Sequence, residues 1–210
     1  MNAQATPTTS RGKASSLLVV LFLYALAVGA GIATFVALRD LHPLVSVLVA
    51  DLVATVVVFA GSMAVRNSSM YDAYWSVIPP FIAWAFAVEG VNIPVGRTVL
   101  LMVALNVWAL RLTTNWVRGW PGLGHEDWRY VMLRKDAKVP GWIIDFSGVH
   151  LYPTLQVWVA SLGMYAALTL GSERLNGLDW AAGAVIVLAA LLQFVADEQM
   201  RTHRRTSPGI

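Results

Sequence analysis

Polar side chains recur at helical spacing within one of the long apolar runs of this sequence. Trp108, Arg111, Asn115 and Arg118 are separated by three, four and three residues, which places them on one face of a helix. Arg118 lies near the end of its run, where its side chain can reach water. Arg111 lies deeper and needs a counter-charge, a ligand phosphate or a water-filled opening. We therefore expect a functional role for Arg111.

A second polar set, in the last apolar run, has a similar periodicity. Its members, Gln193, Asp197, Arg201 and Arg204, are spaced i, i+4, i+8 and i+11. A solvated helix end with an Asp–Arg pair is the simplest explanation of this pattern. Both polar sets nevertheless run toward the same predicted side of the molecule, and this favours a shared site.

The segment between the two sets is rich in glycine, tryptophan and charge. Residues 119–130 read GWPGLGHEDWRY, and neither a preceding strand nor a Gly-Lys-Ser/Thr ending marks a phosphate-binding loop. Asp127, Tyr130 and Arg134 share one face of a short helix expected at the membrane surface. Tyr71 and Asp72 belong to a polar cluster on the same predicted side, for which an amphipathic lip is the simplest explanation.

Other kinds of chemistry have no support in the sequence. The chain contains no cysteine, which excludes disulfides, thiolate metal sites and a cysteine nucleophile. Its four histidines lack metal-ligand spacing, and no serine nucleophile motif is present. We predict no metal site.

The composition requires that these polar groups be positioned by membrane helices. Hydrophobic residues make up 57% of the 210 residues and charged residues only 13%, about half the usual charged fraction of a soluble domain. This excludes a disordered chain, a solenoid of soluble repeats and an ordinary cytosolic enzyme. The net charge of +3 forms no basic stripe of the kind that binds nucleic acid.

Apolar runs that could cross a bilayer predict an all-α, polytopic transmembrane bundle. A bilayer core requires about 20 apolar residues in a helix. Six runs approach this length: Leu17–Leu38, Leu44–Val65, Val77–Glu89, Thr98–Val117, Leu151–Leu170 and Trp180–Ala196. Val77–Glu89 is the shortest and is expected to be tilted or re-entrant if it does not span. We predict about six spans in a membrane domain at 15–210, after a polar, disordered tail at 1–14.

The basic residues predict the orientation of these spans. With six spans, 11 of the 15 Lys and Arg residues fall on the side that holds both chain ends, and three fall on the other side. Because basic residues favour the cytoplasmic side, we predict that both ends are cytoplasmic. Within the first run, Ala25, Gly29, Ala33 and Ala37 recur every four residues and predict a face for close helix packing.

Two stretches carry a resemblance to a known family. Residues 106–134, NVWALRLTTNWVRGWPGLGHEDWRYVMLR, preceded by YDAYWS at 71–76, resemble the steroid 5-alpha-reductase-like membrane proteins of bacteria, long catalogued as a domain of unknown function. The Trp-x-x-Arg-Leu pattern followed by Glu-Asp-Trp-Arg-Tyr is the specific part. Residues 196–205, ADEQMRTHRR, are similar to an Asp-x-x-x-Arg-x-x-Arg stretch of the same family.

The resemblance implies an activity and roles for the polar residues. It implies an NADPH cavity open to the cytoplasm within a bundle of seven or more helices, in the bacterial inner membrane. Hydride would pass to the β-carbon of an enone in a sterol-like or other lipid. The residues implied to bind the cofactor are Arg111, Asn115, Gln193, Asp197, Arg201 and Arg204, and those implied to shape a cytoplasmic cap are Asp127, Arg129 and Tyr130.

Two departures from the family pattern bear on activity. The steroid reductases have a tyrosine three residues before the membrane arginine, where this chain has Trp108, whose indole is not a useful acid. The catalytic acid therefore stays open among Trp108, Tyr71 and Asp72. Family members also continue into a His-Pro-Asn-Tyr-type motif, whereas this sequence ends at Ile210. We expect from this a truncated reductase or one that has lost its activity.

Two other functions remain as alternatives. Membrane methyltransferases that act on isoprenylcysteine or phospholipid head groups share the helix layout and a related C-terminal motif, and would bind S-adenosylmethionine. A non-enzymatic membrane scaffold is the third possibility.

Overall fold

Helices account for all the regular structure in the computed structural model, which describes residues 12–206. The first four α-helices are α1 (Lys13–Ala37), α2 (Pro43–Val65), the shorter α3 (Tyr74–Glu89) and α4 (Val95–Gly119). A 3₁₀ helix at Ser68–Ala73 precedes α3. The short α5 (Trp128–Lys135) follows. The next helical stretch comprises α6 (Gly141–Ile144), a π-helix (Asp145–Leu151), α7 (Tyr152–Ala160), α8 (Leu162–Tyr165) and a second π-helix (Ala166–Leu170). The last helix is α9 (Gly177–Thr206).

The ends of α2 follow from local sequence. Pro43 occupies the first turn, where its missing N–H costs nothing, and the His42 ring accepts a hydrogen bond from the Leu44 N–H. The helix stops at Arg66, which adopts a left-handed conformation with φ of 54°. Asn67 then accepts a hydrogen bond from the Ser69 N–H at 2.9 Å and so begins the 3₁₀ helix.

Within residues 12–206, four helices are long and apolar enough to cross a membrane, namely α1, α2, α4 and α9. The predicted all-α membrane fold is thereby confirmed for four of the six apolar runs. The two other runs form α3, which has only 16 residues, and the stretch 141–170, which two π-helices and a turn at Ser161 interrupt. The full count of six spans stays a prediction.

Successive helical passes alternate in direction. The end of α2 meets the start of the stretch 141–170, where the Ser62 hydroxyl lies 3.0 Å from His150 Nε2. The start of α2 meets the later part of the same stretch, where the Trp158 indole N–H donates to the Leu44 carbonyl oxygen at 3.2 Å. These two contacts show that α2 and this stretch are antiparallel.

Helices α4 and α9 run parallel and in register. Near their first turns, Arg97 forms an ion pair with Asp179 at 3.1 Å and donates to the Gly171 carbonyl oxygen at 2.8 Å. Fourteen residues further along each helix, Arg111 contacts Gln193. The two polar sets found in the sequence therefore face each other along one helix pair.

One sequence prediction needs correction, and another concerns residues that the structure describes only in part. The small-residue stripe on α1 does not form the packing face, because Ala25, Gly29, Ala33 and Ala37 are exposed. Helix α1 packs on α2 through Leu23, which lies against Gly61, and through Gly31, which lies against Ala50 and Ala54. The small residues of α2 on this face allow the close approach of the two helices. The helix α1 begins at Lys13, two residues before the predicted start of the membrane domain, and residues 1–11 of the predicted tail lie outside the described residues.

Candidate functional site

A cavity of about 650 Å³ lies at the end of the bundle where α1 begins and α2, α4 and α9 end. This volume is in the usual range for sites that bind small molecules. Seven of the candidate residues line it together: Tyr71, Asp72, Asn115, Asp127, Arg129, Tyr130 and Arg204. They come from the 3₁₀ helix, α4, α5 and its cap, and α9, so that residues far apart in the sequence meet on one wall.

The loop between α4 and α5 is fixed over the cavity by backbone and side-chain hydrogen bonds. The buried Asn67 amide donates to the carbonyl oxygens of Leu123 and His125, each at 2.9 Å. The Glu126 carboxylate accepts from the Ser68 N–H at 2.9 Å, and the Asp127 N–H donates to the Ser69 hydroxyl at 2.7 Å. Because these bonds satisfy backbone groups on both segments, the loop and the 3₁₀ helix act as one unit.

The protonation of the Asp72 carboxyl group is changed by its burial in the cavity lining. It is mostly buried and accepts a hydrogen bond from the Tyr130 hydroxyl. Burial raises the pKa of Asp72 to about 6, although the Tyr130 hydrogen bond and the charge of Arg129 oppose that rise. Burial, followed by the charge of Asp72, raises the pKa of Tyr130 above its ordinary value, so Tyr130 stays a donor.

Asp127 behaves in the opposite way. Its carboxylate accepts two hydrogen bonds of 2.9 Å from the Arg129 guanidinium and also caps α5 by accepting from the Arg129 N–H. These hydrogen bonds lower the pKa of Asp127 below its ordinary value. Asp127 and Arg129 are therefore a compensated pair, and Asp72 is left as the carboxyl group able to exchange a proton near neutral pH.

Two stacked tryptophans are among the aromatic side chains that line the cavity. The rings of Trp116 and Trp120 stack with their centroids 4.6 Å apart, and both line the cavity. The indole N–H of Trp120 is buried and has no hydrogen-bond acceptor among the described residues. An unsatisfied buried donor is costly, and on a cavity wall it favours a ligand that supplies an acceptor.

The remaining candidate residues form a polar network between α4 and α9. Arg111 donates to Gln193 and to the Asp197 carboxylate, and Arg201 donates to the Asn115 amide oxygen at 2.7 Å. Arg118 is paired with Glu198. Asn115 also lines the large cavity and so joins the two sets. The Nε–H groups of Arg111 and Arg201 are buried and have no acceptor among the described residues.

Trp108 is the candidate that lies apart. It precedes Arg111 by about one turn of α4, yet it is not among the residues that line the cavity. The structure therefore groups Tyr71 and Asp72 with the cavity and leaves Trp108 on the helix outside its wall.

Sequence reasoning missed a buried layer of hydroxyl groups next to the cavity. The Tyr71 hydroxyl lies 2.6 Å from that of Thr154, which lies 2.7 Å from that of Thr55. Tyr74, beside Tyr71, donates to Asp51 at 3.2 Å. The available signal for this layer was the presence of hydroxyl-bearing residues within apolar runs. Their pairing could not be predicted, because Thr154 lies 83 residues from Tyr71 and 99 residues from Thr55 in the sequence and meets them only in the tertiary fold.

A second missed group is the ion cluster around Arg134. This guanidinium pairs with Glu126 and with the buried Asp145, the latter at 2.7 Å. The sequence placed Arg134 on the face of Asp127 and Tyr130, but Asp145 lies beyond α5 and has no local signal. Among the described residues, no group of three His, Cys, Asp or Glu side chains is placed to hold a metal ion.

No solved structure matches this chain. An uncharacterized protein of Schizosaccharomyces pombe is 28% identical over 165 residues, which are 75% of this chain and 47% of that protein. The chain thus spans about half the length of this relative.

A family model described as "Protein of unknown function (DUF1295)" matches residues 58–209. The matched range begins within α2 and includes all of the candidate site residues, whereas α1 and most of α2 lie outside it. Because the model covers well over half of the sequence, this membrane-associated helical protein belongs to the DUF1295 family.

Proposed function

We propose that this protein binds NADPH in the large cavity and uses it to reduce the C=C bond of an enone in a sterol-like or other lipid. The single observation that supports this proposal most is the cavity itself, which collects seven of the candidate residues on one wall. The proposal also includes a bacterial cytoplasmic membrane, six spans, and a cavity that opens to the cytoplasm.

The donors around the cavity suit a ligand rich in phosphate and carbonyl oxygen. Arg204 lines the cavity and forms no ion pair within residues 12–206. The Trp120 indole N–H has no acceptor among the described residues and belongs to a side chain of the cavity lining, whereas Arg111 and Arg201 lie outside this lining in the α4–α9 network. A guanidinium without a carboxylate partner is well suited to bind a phosphate group. Arg204 and Arg201 would hold the phosphates, with Arg111 and Asn115 deeper along α4.

Asp72 supplies the acid chemistry that such a reduction needs. Bound NADPH would supply the hydride that adds to the β-carbon, which leaves negative charge on the carbonyl oxygen. Protonated Asp72 can donate a hydrogen bond to that oxygen and then give up its proton, because its pKa of about 6 is close to neutral pH. The resulting enol becomes the saturated ketone when its α-carbon takes up a proton from water and its O–H proton is released. Tyr130 then stabilises the resulting carboxylate through its hydroxyl hydrogen bond.

Binding is tested by titrating the purified chain in detergent with NADPH and following tryptophan fluorescence. Trp116 and Trp120 line the cavity, so we expect saturable quenching. Arg204→Gln removes the unpaired guanidinium and should weaken binding by roughly tenfold or more, the usual effect of losing a charged hydrogen bond. Arg205→Gln is the matched control, because Arg205 is exposed and does not line the cavity.

Two results would overturn the cofactor proposal. One is the absence of a saturable NADPH response in the unmodified chain. The other is equal weakening by Arg204→Gln and Arg205→Gln, which would mean that only net charge matters. The acid role of Asp72 is tested separately: Asp72→Asn should retain NADPH binding but abolish NADPH oxidation with a sterol-like enone.

A methyltransferase remains the second candidate because of the cavity's acidic and aromatic groups. Asp72, Asp127 and the stacked Trp116 and Trp120 rings are groups that attract a cationic sulfonium. A tighter fluorescence response to S-adenosylmethionine than to NADPH would decide for this candidate. A response to neither ligand would favour a non-enzymatic scaffold.

A further inference from the structure

The short helix α5 and the turn after it expose an unusual surface at the cavity end of the bundle. Trp128 is 67% exposed, Trp142 is 58% exposed, and Met132 and Val139 between them are also exposed. Such large apolar side chains would be unfavourable in open water, and they are too few and too mixed with charge to form a membrane span.

The two faces of α5 differ in their contacts: one face is bonded to the protein and the other is exposed. Tyr130 and Arg134, one turn apart, point to the protein, where they bind Asp72 and the pair Glu126 and Asp145. Trp128, Met132 and Lys135 have the spacing i, i+4 and i+7 and are exposed on another face of the same helix. The outer face therefore combines apolar side chains with a cation and is not needed to hold α5 in place.

The charges of this segment divide in the same way. Arg129 and Arg134 are neutralised by carboxylates of the protein. Lys135 and Lys138 are exposed and form no ion pair among the described residues, with the exposed Asp136 as the only acidic residue between them. Arg66, at the end of α2, adds a further exposed cation at this end of the bundle.

The position of the segment identifies its partner. Helix α4, which is long and apolar enough to span, ends at Gly119, nine residues before Trp128, and α1 begins beside it, where the Lys13 ammonium donates to the Arg118 carbonyl oxygen at 3.1 Å. The membrane surface therefore lies at this level. Tryptophan is preferred at that depth, and lysines on a partly apolar helix are attracted to anionic head groups.

We propose that residues 128–142 lie in the head-group layer and bind anionic phospholipids through Lys135 and Lys138, with Trp128, Met132 and Trp142 inserted beside them. The occupant is the bilayer that holds the helices, so the contact needs no further protein. The inner face of α5 forms part of the cavity wall, so the lipid contact lies on the side of α5 that faces away from the cavity. This inference does not depend on the proposed reductase activity.

The absence of cysteine gives a direct test. Met132→Cys creates a single thiol for a polarity-sensitive fluorophore on the outer face of α5. The full chain, reconstituted in phosphatidylcholine vesicles, is compared with the same chain in vesicles that also contain phosphatidylglycerol. We expect bluer and stronger emission with the anionic lipid, and a smaller effect at high salt.

The lysines are tested in the labelled chain by Lys135→Gln with Lys138→Gln. The amount of anionic lipid that gives half of the spectral change should rise by about fivefold per lysine. Arg39→Gln with Arg174→Gln is the control pair. These two arginines are exposed at the end of the bundle opposite the cavity, and their replacement removes the same amount of charge. Lys135→Arg with Lys138→Arg keeps the charge and should keep the response, even if the Gln pair perturbs folding.

Three outcomes would overturn the inference. The first is a label that reports the same environment in both kinds of vesicle. The second is a Lys135→Gln and Lys138→Gln pair that behaves as the control pair does. The third is a spectral change produced by inorganic phosphate in phosphatidylcholine vesicles, which would identify a site for the free anion instead of a lipid surface.

Discussion

Asp72 lies where burial and hydrogen bonding have opposite effects on one carboxyl group. Burial disfavours its charged form, whereas the Tyr130 hydroxyl and the nearby Arg129 stabilise that form. Asp127, which also lines the cavity, shows the reverse balance because it is more exposed and Arg129 donates hydrogen bonds to it directly. The burial of Asp72 and the direct bonds from Arg129 to Asp127 thus give the two carboxyl groups opposite pKa shifts, and this difference is measurable.

Stability should depend on pH through Asp72. Because its pKa is raised on folding to about 6, Asp72 favours the folded state below its ordinary pKa of 3.8, and this advantage is lost as the pH rises through about 6. The full change is at most about 3 kcal/mol, at about 1.4 kcal/mol per pKa unit. Asp72→Asn should remove this part of the pH dependence, measured as thermal unfolding in detergent between about pH 5 and pH 8, the range in which roughly half of the change falls.

The control for this measurement is Asp127→Asn. Arg129 lowers the pKa of Asp127, so its contribution to stability is lost only as the pH falls below its ordinary pKa. Asp127→Asn should therefore leave the slope between pH 5 and pH 8 unchanged, to within about 0.5 kcal/mol. If the two variants flatten the curve equally, the distinction between the two carboxyl groups is wrong.

At the scale of elements, periodicity indicates which residues share a face but not which face meets a partner. The spacing of Arg111 and Asn115 on α4, and of Gln193, Asp197 and Arg201 on α9, was sufficient to predict two polar faces, and these faces do meet. The stripe that begins with Ala25 has equally regular spacing but is exposed. Charge in an apolar helix must find a partner, whereas a small side chain is tolerated against lipid, so only the first pattern constrains packing.

This difference predicts unequal effects for two glycines in the α1–α2 pair. A Cβ at Gly61 of α2 would lie 2.8 and 2.9 Å from the two terminal carbons of Leu23, whereas one at Gly29 of α1 meets nothing within 4 Å. Gly61→Leu should lower the free energy of unfolding by about 1–3 kcal/mol through overpacking. Gly29→Leu should change it by less than about 0.5 kcal/mol. Thermal unfolding of both variants in the same detergent measures the difference, and equal losses would contradict it.

At the scale of the whole molecule, composition and run length were sufficient to predict a membrane bundle, and four of the six runs are confirmed as helices able to span. What they could not predict is how the chain completes its site. The contacts of Asp145 with Arg134, and of Thr154 with Tyr71, join segments whose own sequences contain no sign of each other. They depend on the alternating directions of the helices, which place the ends of distant segments together.

Those directions also predict the position of each loop relative to the membrane. The C-terminal ends of α3 and of the stretch 141–170 meet at the end of the bundle opposite the cavity. There the Thr169 hydroxyl donates to the Phe86 carbonyl oxygen at 3.2 Å. If both segments cross the bilayer, the loops at Leu41, Val91 and Ser172 lie on one side and Lys138 lies on the other.

Single cysteines at these exposed positions, in a chain that has none, test this topology. When intact cells are treated with a membrane-impermeant maleimide, the cysteines on the outer side should react and those on the inner side should not. The excess of basic residues at the cavity end predicts that Leu41→Cys, Val91→Cys and Ser172→Cys react and that Lys138→Cys reacts only after lysis. Protection of Val91→Cys together with reaction of Lys138→Cys in intact cells would show that α3 does not cross, because α4 would then span in the opposite direction.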